Sequence, residues 1–313
     1  MTPSITTSMS GRAWLMLILL SLLWGGSFFF VGSMVSELAP LTIVTLRVGI
    51  AAITLWIIVF LLGLRPPKSV KIWGAFLGMG LLNNVIPFVL IVWGQTQVAS
   101  GLASILNAAT PIFAVVVAGF LLPDERPTPL KLIGVVIGFL GVVLMIGLPT
   151  ITNALNNTLG STGSLIAQLA IIAATLSYAF AGVYGRRFKP MQLNPIIIAA
   201  GQVTASTLVL LPITLAVDGP LNVAETSLHT WIAITGLAVF STAFAYILYF
   251  KILEVAGATN VLLVTLLVPI SAILLGWLFL NESLEMIHFL GMTLIALGLS
   301  AIDGRLWRRL SQH

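Results

Sequence analysis

Polar residues precede three prolines by four positions, each time inside an otherwise apolar stretch of the chain. The three pairs are Asn83 with Pro87, Asn107 with Pro111, and Thr265 with Pro269. Because proline has no N–H, it leaves the carbonyl of the residue four positions earlier without its helical partner. Each pair is therefore predicted to form a notch in which a free carbonyl lies beside a hydrogen-bonding side chain. In the alternative interpretation, these side chains only bond neighbouring helices and repair the kinks.

The elements that must position these groups are predicted to be membrane-spanning helices. Charged residues make up 7% of the chain, hydrophobic residues 59%, and the mean hydropathy is +1.13, whereas a soluble domain is roughly one quarter charged. Ten apolar segments are long enough to cross about 30 Å of hydrocarbon. The predicted spans are 13–32, 41–63, 71–92, 98–122, 130–148, 164–185, 193–216, 229–250, 258–280 and 286–303.

The basic residues predict the orientation of these spans. With the N-terminus in the cytoplasm, 13 of the 14 Lys and Arg residues fall in cytoplasmic segments, as the positive-inside rule requires. Both termini are therefore predicted to be cytoplasmic, in a bacterial inner membrane. The formal charge of +5 is explained by this topology and by anionic lipid, so no nucleic-acid partner is predicted. The chain has no cysteine, which excludes disulfides and thiolate metal sites.

The sequence contains an internal repeat. Residues 99–121 resemble residues 257–279 at a shift of 158, which aligns Pro111 with Pro269 and Asn107 with Thr265. Each half then holds five spans, and because five is odd the second half must enter the membrane from the opposite side. Inverted repeats of this kind are typical of secondary transporters with a binding site between the halves. The predicted organisation is a first repeat at 12–148, an extracytoplasmic linker at 149–163, a second repeat at 164–303 and a basic cytoplasmic tail at 304–313.

Three segments carry a resemblance to a known family. LLWGGSFFF at 22–30, PIFAVVVAGFLLPDE at 111–125 and PISAILLGWLFLNE at 269–282 resemble EamA-type members of the drug/metabolite transporter superfamily, and the similarity covers nearly the whole chain. The closest likeness is to the aromatic-amino-acid exporters. The resemblance implies an all-α membrane protein with ten helices in two inverted five-helix repeats around a central cavity. The first span lacks the buried glutamate of the small multidrug members, which argues against cation/proton antiport.

Matched polar pairs in the two halves indicate candidate binding residues. Asn83 and Asn84 correspond to Ser241 and Thr242 at the shift of 158, and an aromatic residue follows each pair on the same helical face. Mid-span aromatics add to the set, although the Trp in the first span also fits a lipid-facing or interhelical position. The predicted substrate-binding residues are Trp24, Asn83, Asn84, Asn107, Tyr178, Thr242, Tyr246 and Thr265, with helix kinks at Pro87, Pro111 and Pro269.

Arg47 is the one basic residue buried deep in a predicted span, where it aligns with Gln202 of the second half. It is a candidate to bind a substrate carboxylate, but it also fits a bond to helix carbonyls or to Glu37. The structural role is the preferred interpretation. Glu282 lies at a span end and is expected to cap the helix that follows it. The His residues lie at span starts or in the tail, so neither a metal site nor a cofactor is predicted.

These features together predict a secondary transporter that moves small amphipathic metabolites by alternating access, with export of aromatic or branched amino acids as the preferred activity. No deeply placed acid is present to carry a proton, which favours facilitated transport. The alternatives are a nucleotide-sugar or other metabolite carrier, and a non-transporting structural or receptor-like membrane protein. An enzyme is not predicted, because nucleophile, base and oxyanion groups are not clustered. The expected partners are a small-molecule substrate and the lipid bilayer. A monomer is possible, and the sequence does not give the oligomeric state.

Overall fold

The described part of the chain is helical throughout, with short turns between the helices. A computed structural model describes residues 11–123, 128–146, 161–220, 225–256, 261 and 264–303. The predicted basic tail and residues 149–160 of the predicted linker lie outside this described part.

Thirteen α-helices are labelled here in chain order. They are α1 (Gly11–Met34), α2 (Pro40–Leu61), α3 (Val70–Gly80), α4 (Ile86–Gly94), α5 (Ser100–Asn107), α6 (Thr110–Leu121), α7 (Pro129–Ile146), α8 (Ser161–Gly185), α9 (Pro195–Val217), α10 (Leu228–Ala238), α11 (Ala245–Ala256), α12 (Val264–Phe279) and α13 (Met286–Asp303). A 3-10 turn, Arg186–Met191, extends α8. The count of thirteen α-helices refers to the described residues alone.

Seven helical stretches of the described residues are long and apolar enough to cross a membrane. They are α1, α2, α3 with α4, α5 with α6, α8 with its 3-10 turn, α9, and α10 with α11. The remaining three predicted spans fall on α7, α12 and α13, which are shorter apolar helices. Many large apolar side chains are exposed on the outer surface, among them Phe120 at 86% and Leu61 at 81%, and a lipid environment accounts for this exposure.

Two stretches are wound as π-helix, in which each turn holds an extra residue. They are Leu81–Val85, between α3 and α4, and Val239–Phe244, between α10 and α11. They begin 158 positions apart, at residues 81 and 239, which equals the shift of the sequence repeat. The matched polar pairs lie in these widened turns, so the fold places both pairs where the backbone departs from α geometry.

The contacts between helices are paired in a regular way. Helix α1 packs on α12, and its counterpart α8 packs in the same way on α6, the counterpart of α12. Helix α1 also packs on α11, and α8 packs on α4, the counterpart of α11. Likewise α2 packs on α10 as α9 packs on α3. The contacts of α2 with α9 and of α7 with α13 each join a helix to its own counterpart. Exchanging every helix of the first half with its counterpart in the second therefore leaves this set of contacts unchanged.

Glycines determine how closely α7 and α13 approach. A Cβ atom on Gly134 would lie 2.5 Å from the carbonyl oxygen of Gly298, and one on Gly298 would lie 2.5 Å from the carbonyl oxygen of Gly134. Only a residue without a side chain permits backbones to meet at this distance. The two glycines therefore permit the close backbone packing of α7 on α13.

Candidate functional site

Seven polar side chains lie where α2, α9, α11 and the two π segments meet. This polar cluster consists of Arg47, Asn83, Asn84, Gln202, Ser241, Thr242 and Tyr246. Three of them come from the first half of the chain and four from the second. All are buried or half-buried, and Asn84 has no exposed surface. Polar side chains are costly in an apolar bundle, so a group of this size is a candidate functional site.

Arg47 lies seven residues after the start of α2, roughly 10 Å along the helix. The side chain is 7% exposed, its Nε donates a hydrogen bond to Thr242 Oγ1 at 3.0 Å, and its guanidinium carbon lies 3.6 Å from the ring centroid of Phe88. The Thr242 hydroxyl in turn donates to the carbonyl of Leu237 at 2.9 Å. Arg47 forms no ion pair with an acid among the described residues. The alternative that placed Glu37 beside Arg47 is wrong, because Glu37 bonds the start of α10.

Tyr246 joins the two halves of the cluster. Its hydroxyl accepts hydrogen bonds from Asn83 Nδ2 at 3.1 Å and from Asn84 Nδ2 at 2.8 Å. Asn83 Nδ2 also lies 3.5 Å from Gln202 Oε1. Four of the predicted binding residues are therefore brought together: the two asparagines, the tyrosine, and the threonine that holds Arg47.

Two oxygens of the cluster are buried without a hydrogen-bond partner among the described residues. They are Oδ1 of Asn84 and Oγ of Ser241. A buried polar atom left unpaired costs about 1–3 kcal/mol, and such atoms are uncommon in native proteins. The cluster therefore holds acceptor capacity that its own side chains do not use.

The second pair of notches lies apart from the polar cluster. The chain leaves helical geometry between α5 and α6, immediately before Pro111, and the Asn107 carbonyl accepts a hydrogen bond from Thr110 Oγ1 at 2.7 Å. This carbonyl is therefore not free, contrary to the prediction, although Asn107 Oδ1 is buried without a partner in the described part of the chain. Pro269 lies inside the continuous helix α12, with Thr265 half-buried in its first turn. Pro87, Pro111 and Pro269 are all buried.

The two predicted aromatic residues take different positions. Trp24 packs in an apolar cluster with its ring centroid 5.6 Å from that of Tyr249, which is the interhelical position considered as the alternative. Tyr178 contacts both hydrophobic clusters of the described structure and lies near Arg47. Tyr178 thus lies at the boundary between the polar cluster and the apolar core.

Three carboxylates at one end of the bundle cap helices of the opposite half, and we name them the carboxylate bridges. Asp218 accepts from the backbone N–H and the hydroxyl of Thr42, at 2.9 and 2.8 Å. Glu282 accepts from the N–H groups of Ser100 and Gly101, at 2.8 and 3.2 Å. The expectation that Glu282 caps the following helix is wrong, since it caps α5 of the first half.

The third bridge belongs to Glu37, which follows α1. Its carboxylate accepts hydrogen bonds from the backbone and hydroxyl of Ser227 and from the hydroxyl of Thr230, at the start of α10. These hydrogen bonds lower the pKa of the Glu37 carboxyl below its ordinary value, and the bond from Thr230 has the largest effect. All three bridges place a negative charge at a helix N-terminus, where the helix dipole is favourable.

Two grooves on the described surface lie outside the polar cluster. One, of about 520 Å³, runs between α2 and α9 and is lined mainly by apolar side chains such as Ile53 and Phe60. The other lies beside Phe30 and Trp231. Within the described ranges, no group of three or more His, Asp or Glu side chains is arranged to hold a metal ion.

Comparison with known proteins identifies the family of the chain. A sequence profile of the EamA-like transporter family matches residues 11–147 and, a second time, residues 165–302. The chain belongs to the EamA-like transporter family. The resemblance drawn from the three sequence segments is confirmed, and the chain is a multi-pass membrane transporter.

Several relatives share this similarity over most of their length. An uncharacterized transporter of Archaeoglobus fulgidus is 27% identical over 92% of this chain and 97% of its own. Protein PecM of Dickeya dadantii is 25% identical over 87% and 86%, and the uncharacterized inner membrane transporter YedA of Escherichia coli K12 is 26% identical over 89% and 86%. One solved protein structure superposes with a TM-score of 0.65 at 19% identity, covering 96% of this chain and 99% of its own, which supports the fold alone.

Within this EamA-like transporter, sequence reasoning underrated three members of the polar cluster. Arg47 was assigned a structural role, and Gln202 and Ser241 were noted only as repeat counterparts. The signal that would have found them was the repeat itself. Ser241 aligns with Asn83, a predicted binding residue, and Gln202 aligns with Arg47, a candidate to bind a carboxylate. The repeat alignment therefore indicates both Ser241 and Gln202 as candidate site residues.

Proposed function

We propose that this EamA-like transporter exports small amphipathic metabolites by alternating access, with aromatic or branched amino acids as its substrate class. The observation that carries the proposal is the polar cluster. Its hydrogen bonds, Arg47 to Thr242 and the two asparagines to Tyr246, cross between the halves of an otherwise apolar bundle. A substrate that competes for these groups would loosen one half from the other.

The proposal includes an inverted pair of five-helix repeats, at 12–148 and 164–303. Support comes from the two matches of the family profile, from the equivalent positions of the two π segments and from the paired helix contacts. The basic residues support cytoplasmic termini, which places the carboxylate bridges at the extracytoplasmic end. The name of the YedA relative supports an inner-membrane location.

In the proposed cycle, the polar cluster takes the polar part of the substrate, and Phe88 and Tyr178 at its border take the apolar part. The carboxylate bridges hold the extracytoplasmic end closed, so release to that side requires them to break. No acidic side chain belongs to the polar cluster, so transport is proposed to run down the substrate gradient without proton coupling. The predicted notches at Asn107 and Thr265 and the mid-span Trp24 remain candidates for the substrate path.

Counterflow in proteoliposomes tests the proposal. Vesicles loaded with unlabelled phenylalanine or leucine should accumulate the labelled amino acid transiently with no imposed proton gradient, and protein-free vesicles should not. Counterflow of nucleotide sugars but not of amino acids would favour the alternative carrier class. If counterflow of amino acids occurs only with an imposed proton gradient, the uncoupled mechanism is wrong.

A further inference from the structure

We propose that the polar cluster recognises a zwitterionic α-amino acid: Arg47 binds the carboxylate, and Asn84 Oδ1 with Ser241 Oγ accepts hydrogen bonds from the ammonium group. This inference rests on the proposed function, because it names the groups that select the substrate at the same site. It assigns to Arg47 a direct contact with substrate, where the sequence alone favoured a structural role.

Arg47 carries a charge that the described structure leaves uncompensated. Its partners are a neutral hydroxyl on Thr242 and the face of the Phe88 ring, and it forms no ion pair with a described carboxylate. Only its Nε is engaged, so the two terminal Nη groups make no hydrogen bond to the described residues. A guanidinium presents these N–H groups in a planar fork that matches a carboxylate. An isolated buried cation is strongly unfavourable, and a bound carboxylate supplies the missing charge.

The unpaired oxygens provide the complementary half of the site. Asn84 Oδ1 and Ser241 Oγ are buried without partners among the described residues, and the Nδ2 of Asn84 donates a hydrogen bond to the Tyr246 hydroxyl at 2.8 Å. An ammonium group has three donors and no acceptor, which matches oxygens that can accept a further hydrogen bond. A substrate ammonium group therefore fits this part of the cluster. A second carboxylate does not, because it has no hydrogen to donate to the Asn84 oxygen.

The backbone holds the two subsites together. Ser241 and Thr242 are neighbours in the second π segment, so the residue that holds Arg47 and one of the free acceptors share a single widened turn. Asn84 reaches the same region through Tyr246, four residues after Thr242. Thr242 and Tyr246 thus act as positioning residues. With one cation and two neutral acceptors, the cluster suits a molecule with one negative and one positive group better than a polyanion such as a nucleotide sugar.

Three aromatic probes separate the contributions. Phenylalanine carries both charged groups, phenethylamine lacks the carboxylate, and 3-phenylpropionate lacks the ammonium. Binding to the purified full-length protein in nanodiscs, measured by calorimetry, should be tightest for phenylalanine. Each truncated probe should bind at least about tenfold more weakly, because a site built for a polar group rejects a ligand that leaves its groups unpaired. Equal affinity for phenylalanine and either truncated probe would overturn the inference with no substitution needed.

Substitutions then assign the subsites. Arg47→Gln should abolish the preference for phenylalanine over phenethylamine, and Ser241→Ala should reduce the preference for phenylalanine over 3-phenylpropionate by about fivefold. Ser241→Ala removes no hydrogen bond of the described structure, so its fold is expected to be intact. Ser104→Ala is the matched control, since Ser104 is equally buried but bonds the Gly101 carbonyl of its own helix, and it should leave both preferences unchanged.

The outcomes distinguish this inference from the proposed function. If amino acids are transported and both preferences survive in Arg47→Gln and Ser241→Ala, the inference fails while the transport function stands. If 3-phenylpropionate binds as tightly as phenylalanine and loses affinity in Arg47→Gln, the amino-acid assignment fails. If none of the three probes binds while the reconstituted protein moves another solute, both proposals fail together.

Discussion

Removal of one carboxylate bridge should open one end of the transporter by a predictable amount. In Glu282→Ala, the N–H groups of Ser100 and Gly101 lose their acceptor, and Ser100 is only 1% exposed. Each unpaired buried donor costs about 1–3 kcal/mol. Because the Glu282 side chain is half-buried, water replaces part of the loss, and a net cost of about 2 kcal/mol to the closed form is expected. This corresponds to a roughly thirty-fold larger open population.

A single cysteine can report this opening, because the chain has none of its own. Ser241→Cys places a thiol in the polar cluster at a position that is 1% exposed. In spheroplasts, the rate of labelling by a membrane-impermeant maleimide should rise roughly thirty-fold when Glu282→Ala is added. Glu285→Ala is the matched control, since its carboxylate lies in the same loop and makes no hydrogen bond to the described residues. Equal labelling rates in all three proteins would refute the reasoning.

Three further predictions concern the carboxylate bridge of Glu37, the polar cluster and the glycine contact. The Glu37 carboxylate has a pKa below its ordinary value of about 4.5, so its stabilisation is present above that value and is lost as the pH falls through the folded-state pKa. The melting temperature of the native chain should therefore exceed that of Glu37→Gln at pH 7, and the difference should vanish in acid. Tyr246→Phe leaves two amide donors unpaired and should weaken amino-acid counterflow about tenfold, whereas Tyr249→Phe should change it little. Gly134→Ala should destabilise the fold by about 1–3 kcal/mol in a thermal unfolding assay, whereas Gly182→Ala, with open space around its Cα, should not.

For each of these three predictions, one experimental result would contradict it. A difference between the native chain and the Glu37 variant that is independent of pH would show that the charge does not contribute. Equal loss of counterflow in both tyrosine variants would remove the special role of the hydroxyl in the polar cluster. Equal unfolding temperatures for both glycine variants would show that the two helices can separate without cost.

The sequence predicted the helices and much of the site, because apolar length and the repeat are visible in one dimension. Asn84 and Tyr246 were selected separately, from matched polar pairs, and the fold brings them into contact. The sequence did not show which half each carboxylate would cap. Glu282 was assigned to the following helix because a loop residue has local partners by default, whereas its actual partners depend on how helices from opposite halves meet.

The winding of the π segments was also hidden from the sequence. The first is followed by Pro87, which removes a helical hydrogen bond and makes an open turn predictable. The second, Val239–Phe244, has no proline and consists of residues that also suit an α-helix. Local residue preferences therefore do not predict its π geometry.

The second π segment has a consequence for how the polar cluster can change. Rewinding Val239–Phe244 as ordinary α-helix, with 3.6 residues per turn, would turn every later residue of α11 by about 100° and shift it by about 1.5 Å along the axis. Tyr246 follows this segment by two residues, so such a screw motion would carry its hydroxyl away from both asparagines. A change of register in a single turn is therefore enough to dismantle the polar cluster.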